Sequence, residues 1–158
     1  MASVLSLRPV YDSDSQLLWE WANDPLVRHQ SFSSDSIAWE DHVKWFSQKL
    51  KDPNCHQFIG VDEAGDPVGQ VRFDLNHEAE VSVSTSAAHR GKGHASSLLS
   101  LASAELIRST GVTRINAHIR PENVASQRAF EKAGYRLVGE IVFKGHSAVE
   151  MDMVGVQS

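Results

Sequence analysis

Arg90-Gly91-Lys92-Gly93-His94-Ala95 marks the point where the period of the sequence changes. Before it, Val81 and Val83 alternate with Glu80, Ser82 and Ser84, the two-residue step of a strand with one apolar face. After it, Ala95, Leu98, Leu99, Ala102 and Leu106 fall at i, i+3, i+4, i+7 and i+11, the stripe of a helix packed on a sheet. A strand that turns into a helix through glycines leaves the first amides of the helix unpaired at its electropositive end. Small residues let an anion approach those amides, and Arg90 and Lys92 add full charge, so the segment reads as an anion site suited to a diphosphate. It is not a P-loop, which needs four residues between its glycines and then Lys and Ser or Thr. Nor is it a dinucleotide fingerprint, because Ser96 stands where the third glycine belongs. An ordinary tight turn is the competing reading of these letters.

Working outward, the chain alternates elements. Residues 4–10 fit a short strand. Asp12-Ser13-Asp14 offers capping side chains for a helix carrying Leu17, Leu18 and Trp21, stopped by Asn23-Asp24-Pro25. A second helix is expected from near Ser36, with Trp39, Val43, Phe46 and Leu50 as its core stripe, ending at Asp52-Pro53-Asn54. Strands follow over 56–62, 67–74 and 79–85, with a turn at Glu63-Ala64-Gly65-Asp66-Pro67. Beyond the long helix and Gly111, Ile115, Ala117 and Ile119 alternate with Asn116, His118 and Arg120 as a strand closed by Pro121. A helix over 124–133 ends at Gly134. Two strands, 135–143 and 146–154, turn at Lys144-Gly145. This mixed order predicts a central sheet covered by helices.

Composition narrows the functional classes. With 158 residues the chain fits one domain of ordinary size, about 150 residues. Cys55 is alone, so neither an internal disulfide nor a thiolate metal site is expected, and no metal is assigned. Fifteen basic against twenty acidic residues give a net charge of −5, which argues against broad nucleic-acid binding. Apolar runs stay far short of the ~20 residues of a membrane span, so no membrane partner is expected. The first residues do not read as a signal peptide, and a reducing, cytoplasmic setting is the expectation.

A second segment, Arg120-Pro121-Glu122-Asn123-Val124-Ala125-Ser126 followed by Phe130-Glu131-Lys132-Ala133-Gly134-Tyr135, gives the glycine loop its context. Arg90, Gly93 and Ala95 match the first signature of the GCN5-related N-acetyltransferase superfamily, and Asn123, Ser126, Gly134 and Tyr135 match the second, in the same order. The chain resembles that superfamily over essentially its whole length. The resemblance implies an α/β fold with a single splayed mixed sheet of about six or seven strands flanked by about four helices. It makes 1–158 a single N-acetyltransferase domain, with acceptor-side helices over 12–51, an acetyl-coenzyme A-binding core over 56–135 and carboxy-terminal strands over 135–154. The pantetheine arm would pair with the strand near Val81 and Val83. Arg90, Gly91, Lys92, Gly93, His94, Ala95 and Ser96 would hold the diphosphate, with Asn123, Ser126 and Phe130 contacting the coenzyme farther along.

Acetyl transfer to an amine needs a base, because a primary alkyl amine near the lysine reference pKa of about 10.4 is mostly charged at neutrality. His118, on the polar strand face five residues before Asn123, is the preferred base, and Glu80 is the alternative. The proton donor is open. The superfamily commonly has Tyr seven residues after the Asn, and this chain has Phe130, which has no proton to give. Ser126 matches a subset resembling ribosomal-protein acetyltransferases in which a serine is the suggested donor; Tyr135 reads as core.

All four tryptophans, Trp19, Trp21, Trp39 and Trp45, lie in the first two expected helices. Ala38, His42, Trp45 and Lys49 form a stripe beside the core stripe, able to face a pocket. Residues 21–28 and 42–46 resemble a bacterial subgroup that acetylates a 4-amino sugar carried on a nucleotide in the pathway to pseudaminic acid. On that likeness Arg28, His42 and Trp45 would bind the acceptor. A small-molecule amine is thus the expected partner, with a protein amino terminus or a non-catalytic acyl-coenzyme A module as rivals. A homodimer is admissible.

Overall fold

The computed structural model describes residues 5–33 and 35–155, so Val4 of the expected first strand lies outside it. The chain runs β1 (Ser6–Pro9), a 3-10 turn (Asp12–Asp14), α1 (Ser15–Ala22), α2 (Pro25–Gln30) and α3 (Trp39–Lys51). Then come β2 (Cys55–Val61), β3 (Pro67–Leu75), β4 (Ala79–Thr85), a second 3-10 turn (Ala87–His89) and α4 (His94–Thr110). It closes with β5 (Arg114–Ile119), α5 (Val124–Lys132), β6 (Arg136–Phe143) and β7 (His146–Val154). The expected strands stand within a residue or two of their predicted bounds.

The amino-terminal third differs from expectation in two places. Asn23-Asp24-Pro25 ends α1 as expected but also begins α2, a short helix that the sequence pattern does not announce, so the described residues hold five α-helices, in keeping with the expectation of about four. Pro25 occupies the first helical position, where its missing amide hydrogen costs nothing, and the Asp24 carboxylate accepts from Leu26 N at 3.0 Å. The second correction is the facing of α3. Trp39 and Val43, expected in the core, are each 40% exposed, whereas His42 is buried beside Phe46. The two stripes are adjacent on the helix, and packing turned α3 by about one residue from the expected face.

The seven strands of the described residues form one sheet in the order β1-β2-β3-β4-β5-β7-β6. Every neighbouring pair is antiparallel except β4 and β5, which run parallel and pair only at Ala79–Ile115 and Glu80–Asn116. Beyond Glu80 the two strands part, while β4 stays paired with β3 as far as Thr85. The splay leaves the β5-facing backbone of 81–85 without a strand partner.

One face of the sheet carries the main core. Leu98, Leu99, Ala102 and Leu106 of α4 are fully buried against Val71, Phe73, Ile115 and Ala117. Each buried leucine contributes about 1.5–3 kcal/mol by removal from water. Gly60 and Gly69, cross-strand partners on β2 and β3, let α4 come close: a Cβ on Gly60 would lie 1.9 Å from Leu98 Cδ2. α4 ends at Gly111 in the left-handed conformation, φ +74°, its amide bonded to Ile107 O at 2.9 Å. On the other face Leu18 and Phe46 pack on Ile59 and cover the β2 side. The β4, β5 and β7 part of that face stays polar, and there the cavity opens. Among the described residues no helix is long and apolar enough to cross a membrane.

Candidate active site

A cavity of about 910 Å³ lies where β4 and β5 part, bounded by the start of α4, the start of α5, the end of β6 and the 26–33 segment. Val81, Val83, Arg90, Gly91, Gly93, His94, Ala95, Ser96, Asn123, Ser126 and Phe130 all line it, as do Glu80 and His118. The structure thus brings together nearly all residues expected at the coenzyme and the chemistry.

At one end, Gly91 and Gly93 both take φ +78°, a left-handed conformation that other residues adopt at a cost. A Cβ built on either meets nothing within 4 Å, so the space above the loop is open. Gly93 starts α4 with no side-chain cap, leaving the first helix amides for another acceptor. Val81 is buried in the core, so what this stretch of β4 offers the cavity is its unpaired backbone edge. An extended polar ligand with a diphosphate at one end fits both features. Lys92 is exposed and outside the lining. Arg90 bridges to Asp24 at 2.9 Å, joining the glycine loop to the cap of α2. His94 is buried, and burial, with His89 and Lys92 nearby, holds its imidazole below the ordinary histidine range.

At the other end, His118 on β5 stands between two carboxylates. Its Nδ1 is 3.8 Å from Glu80 Oε1 on β4, and its Nε2 is 3.6 Å from Glu150 Oε1 on β7. Both distances exceed a direct hydrogen bond, and Nδ1 is buried with no protein partner. The ring stacks on Phe143 at 4.1 Å and 9°. Phe143 meets Phe32 edge-on at 5.1 Å, and Arg120 lies over Phe32 at 5.4 Å while its Nε donates to Ser31 O at 2.7 Å. The 31–33 segment therefore walls the cavity beside His118. Asn123 caps α5, its Oδ1 accepting from Ser126 N at 3.1 Å, and Gln30 reaches the same oxygen at 3.4 Å.

Phe130 and Tyr135 meet edge-on in the core at 5.0 Å. The Tyr135 hydroxyl shares a hydrogen bond with Ser103 at 2.8 Å, and burial pushes it well above the ordinary tyrosine range. It sits in the core, away from the cavity, as its position after Gly134 predicts.

The three residues expected at the acceptor are not brought together. Arg28 borders the cavity, but its guanidinium is committed to Ala22 O at 2.6 Å, Ser33 O at 3.1 Å, Asp35 O at 3.3 Å and Ser31 Oγ at 3.2 Å. It ties up its own loop. His42 lies outside the cavity lining, stacked on Phe46 at 5.6 Å, and Trp45 lies beneath Arg72 of β3. Glu150, Phe143 and Phe32 were missed. Alternation along 146–154 puts Glu150 on a polar face, but nothing local says that this face meets His118.

The Acetyltransferase (GNAT) domain model matches residues 5–136. The chain belongs to the GNAT acetyltransferase family. As a GNAT acetyltransferase it uses acetyl-coenzyme A as donor, in agreement with the open glycine loop and the unpaired β4 edge. This acetyltransferase is 30% identical over 136 residues to the L-2,4-diaminobutyric acid acetyltransferase of Streptomyces coelicolor, with 83% of this chain and 76% of the relative covered. Its fold is shared with the spermidine N-acetyltransferase of Vibrio cholerae in complex with CoA and spermine. There the TM-score is 0.84 at 19% identity, with 95% of each chain covered. It is also shared with aminoglycoside acetyltransferase AAC(6')-Ib in complex with coenzyme A and kanamycin, at a TM-score of 0.82 and 20% identity, covering 96% of this chain and 95% of that one. The domain match and the Streptomyces relative carry the family, and the two solved structures carry the fold; the narrower likeness to the amino-sugar-nucleotide and ribosomal-protein subgroups has no support in them.

Proposed function

We propose that the acetyltransferase moves acetyl from coenzyme A to the primary amine of a small molecule, with the Glu80–His118–Glu150 row accepting the amine's proton. The supporting observation is the placement of an otherwise unbonded imidazole between two carboxylates at the cavity where β4 and β5 part. Bound acetyl-coenzyme A supplies a thioester acyl group. The chain must orient the amine and make its nitrogen neutral before attack. Glu80 lies at the cavity edge, its side chain 42% exposed, and offers an anionic oxygen to an arriving ammonium. His118, 3.8 Å behind it, holds the proton on its ring, and Glu150 steadies the charge from the far side. Phe143 and the Phe32 wall fix the ring and exclude water from one side. Ser126 lines the cavity on the first turn of α5, which supports it as the hydroxyl that returns a proton to the leaving group.

The amino-sugar nucleotide anticipated from Arg28, His42 and Trp45 loses its physical basis, since two of those side chains lie outside the cavity and the third is committed to its loop. A compact polyfunctional amine, the kind named for the Streptomyces relative, suits the cavity better. The test is thiol release from acetyl-coenzyme A with 2,4-diaminobutyrate, spermidine, kanamycin, an amino-sugar nucleotide and peptides bearing free amino termini. Turnover on the small amines supports the reading. Turnover on the peptides alone overturns the small-molecule acceptor, turnover on the nucleotide alone overturns the compact amine, and silence throughout with coenzyme still bound overturns transfer to amines of these classes.

A further inference from the structure

Arg72 lines the same cavity from the middle of β3 and enters none of the roles above. Its Nε donates to Asp74 Oδ2 at 3.0 Å, and its guanidinium carbon lies 4.9 Å from the centroid of the Trp45 ring. Among the described residues its two terminal nitrogens have no hydrogen-bond partner. Lys49 of α3 takes the other oxygen of the same carboxylate, Asp74 Oδ1, at 2.7 Å. Burial pushes the Asp74 carboxyl up, but the hydrogen bonds and charges of Lys49 and Arg72 outweigh it and hold the group below its ordinary range. The cluster is therefore two cations on one anion, a net charge of +1.

A planar donor fork braced by an aromatic ring on one side and a carboxylate at its Nε is preorganised, so little freedom is lost when it binds. Arg72 pairs across the strands with Ser82, and Asp74 with Glu80. Arg72 and Glu80 are thus diagonal neighbours on the polar face, about 7–8 Å apart in backbone position, within reach of one small molecule. The glycine loop that suits the coenzyme's phosphates belongs to α4, whereas Arg72 stands on β3 beside the base.

We propose that Arg72 is the carboxylate receptor of the acceptor site, selecting amino acids that carry a second, side-chain amine over plain diamines. The inference rests on the proposed acyl transfer to a small amine and narrows its substrate class. A single carboxylate neutralises the +1 cluster and matches the fork in two parallel hydrogen bonds, while the amine to be acetylated lies at Glu80 and His118. Trp45 and Lys49 are positioning residues: neither lines the cavity, and both brace the Arg72–Asp74 pair.

The test compares 2,4-diaminobutyrate with 1,3-diaminopropane, its counterpart without the carboxylate, and with phosphoethanolamine, in the native enzyme and in Arg72→Gln and Arg72→Lys. The native enzyme is expected to prefer the diamino acid. Arg72→Gln should lose about ten- to a hundredfold in kcat/KM for it, mainly through KM, and change 1,3-diaminopropane by less than about threefold. Arg72→Lys, which keeps charge without the fork, should fall between. If Arg72→Gln lowers the thermal midpoint enough to impair folding, Trp45→Leu removes the ring under the guanidinium and should raise KM for the diamino acid selectively. An equal loss on both amines, or no native preference for the carboxylate, overturns the receptor while leaving acyl transfer standing. An Arg72-dependent preference for phosphoethanolamine reassigns the fork to phosphate and overturns it too. No thiol release with any amine overturns the acyl-transfer reading itself and the receptor with it.

Discussion

His118 and Glu150 lie directly opposite each other on the antiparallel neighbours β5 and β7, with Nε2 3.6 Å from Oε1. The pairing joins the reaction cavity to a polar ladder on the same sheet face. Arg114 lies 3.9 Å from the same Glu150 oxygen and donates to the buried Asp152 at 2.8 Å, and Arg136 donates to Asp152 at 2.9 Å. Burial pushes Asp152 up, yet the two guanidinium partners hold its carboxyl below the ordinary range. The ladder ties β5, β7 and β6 together on this face, with Glu150 behind His118.

Replacing His118 with Gln removes the proposed proton acceptor while leaving a polar side chain of similar reach. The expected loss in kcat is about 10²–10⁴-fold, with coenzyme affinity unchanged. Steady-state thiol release together with calorimetric coenzyme binding checks it; equal turnover would remove His118 from the mechanism.

Gly93→Val introduces a side chain at φ +78°, where the surroundings are open but the backbone is unfavourable. A strain of about 1–2 kcal/mol is expected, with a branched group standing in the space over the first amides of α4. Coenzyme affinity should fall more than the thermal midpoint suggests. Calorimetric titration of coenzyme A into the folded variant measures this, and unchanged affinity would sink the loop assignment.

Tyr135→Phe removes the hydroxyl bonded to Ser103 in the core. Stability should drop by about 1 kcal/mol and kcat should hold. A large loss of kcat at retained stability would instead make Tyr135 the proton donor.

Burial holds the His42 imidazole below its ordinary value, so the unfolded chain takes up that proton first as pH falls. The sign is therefore fixed: stability is full above the unfolded value near about 6.5 and declines as pH drops through the folded value. His94 is lowered too and acts in the same direction. Thermal midpoints of native and His42→Phe protein between neutral and mildly acid pH should show a smaller decline in the variant, and parallel curves would exclude His42 as a source.

The Cys55 thiol is pushed up to about 11 by burial and by the neighbouring Asp74. Alkylation by iodoacetamide in the native protein at mildly alkaline pH should run far slower than in the denatured chain, because the thiolate is the reactive form. Equal rates would mean that the thiol is ordinary in the folded state.

What the sequence determined by itself is whatever is written locally. The change of period at residues 90–95 placed β4 and α4, and the alternation of Ile115, Ala117 and Ile119 put His118 on the polar face. The spacing of Asn123, Gly134 and Tyr135 carried the family resemblance, because each residue answers to its own backbone neighbours in a cap, a turn or a strand end. The tertiary structure decided which of two adjacent stripes α3 turned inward, and so sent His42 into the core and Trp45 beneath Arg72. It also decided that Glu150, 32 residues beyond His118, stands opposite it. Neither outcome has a local signal: two adjacent stripes that both carry aromatic residues leave the facing of one helix open, and strand register is fixed by partners far apart in the chain.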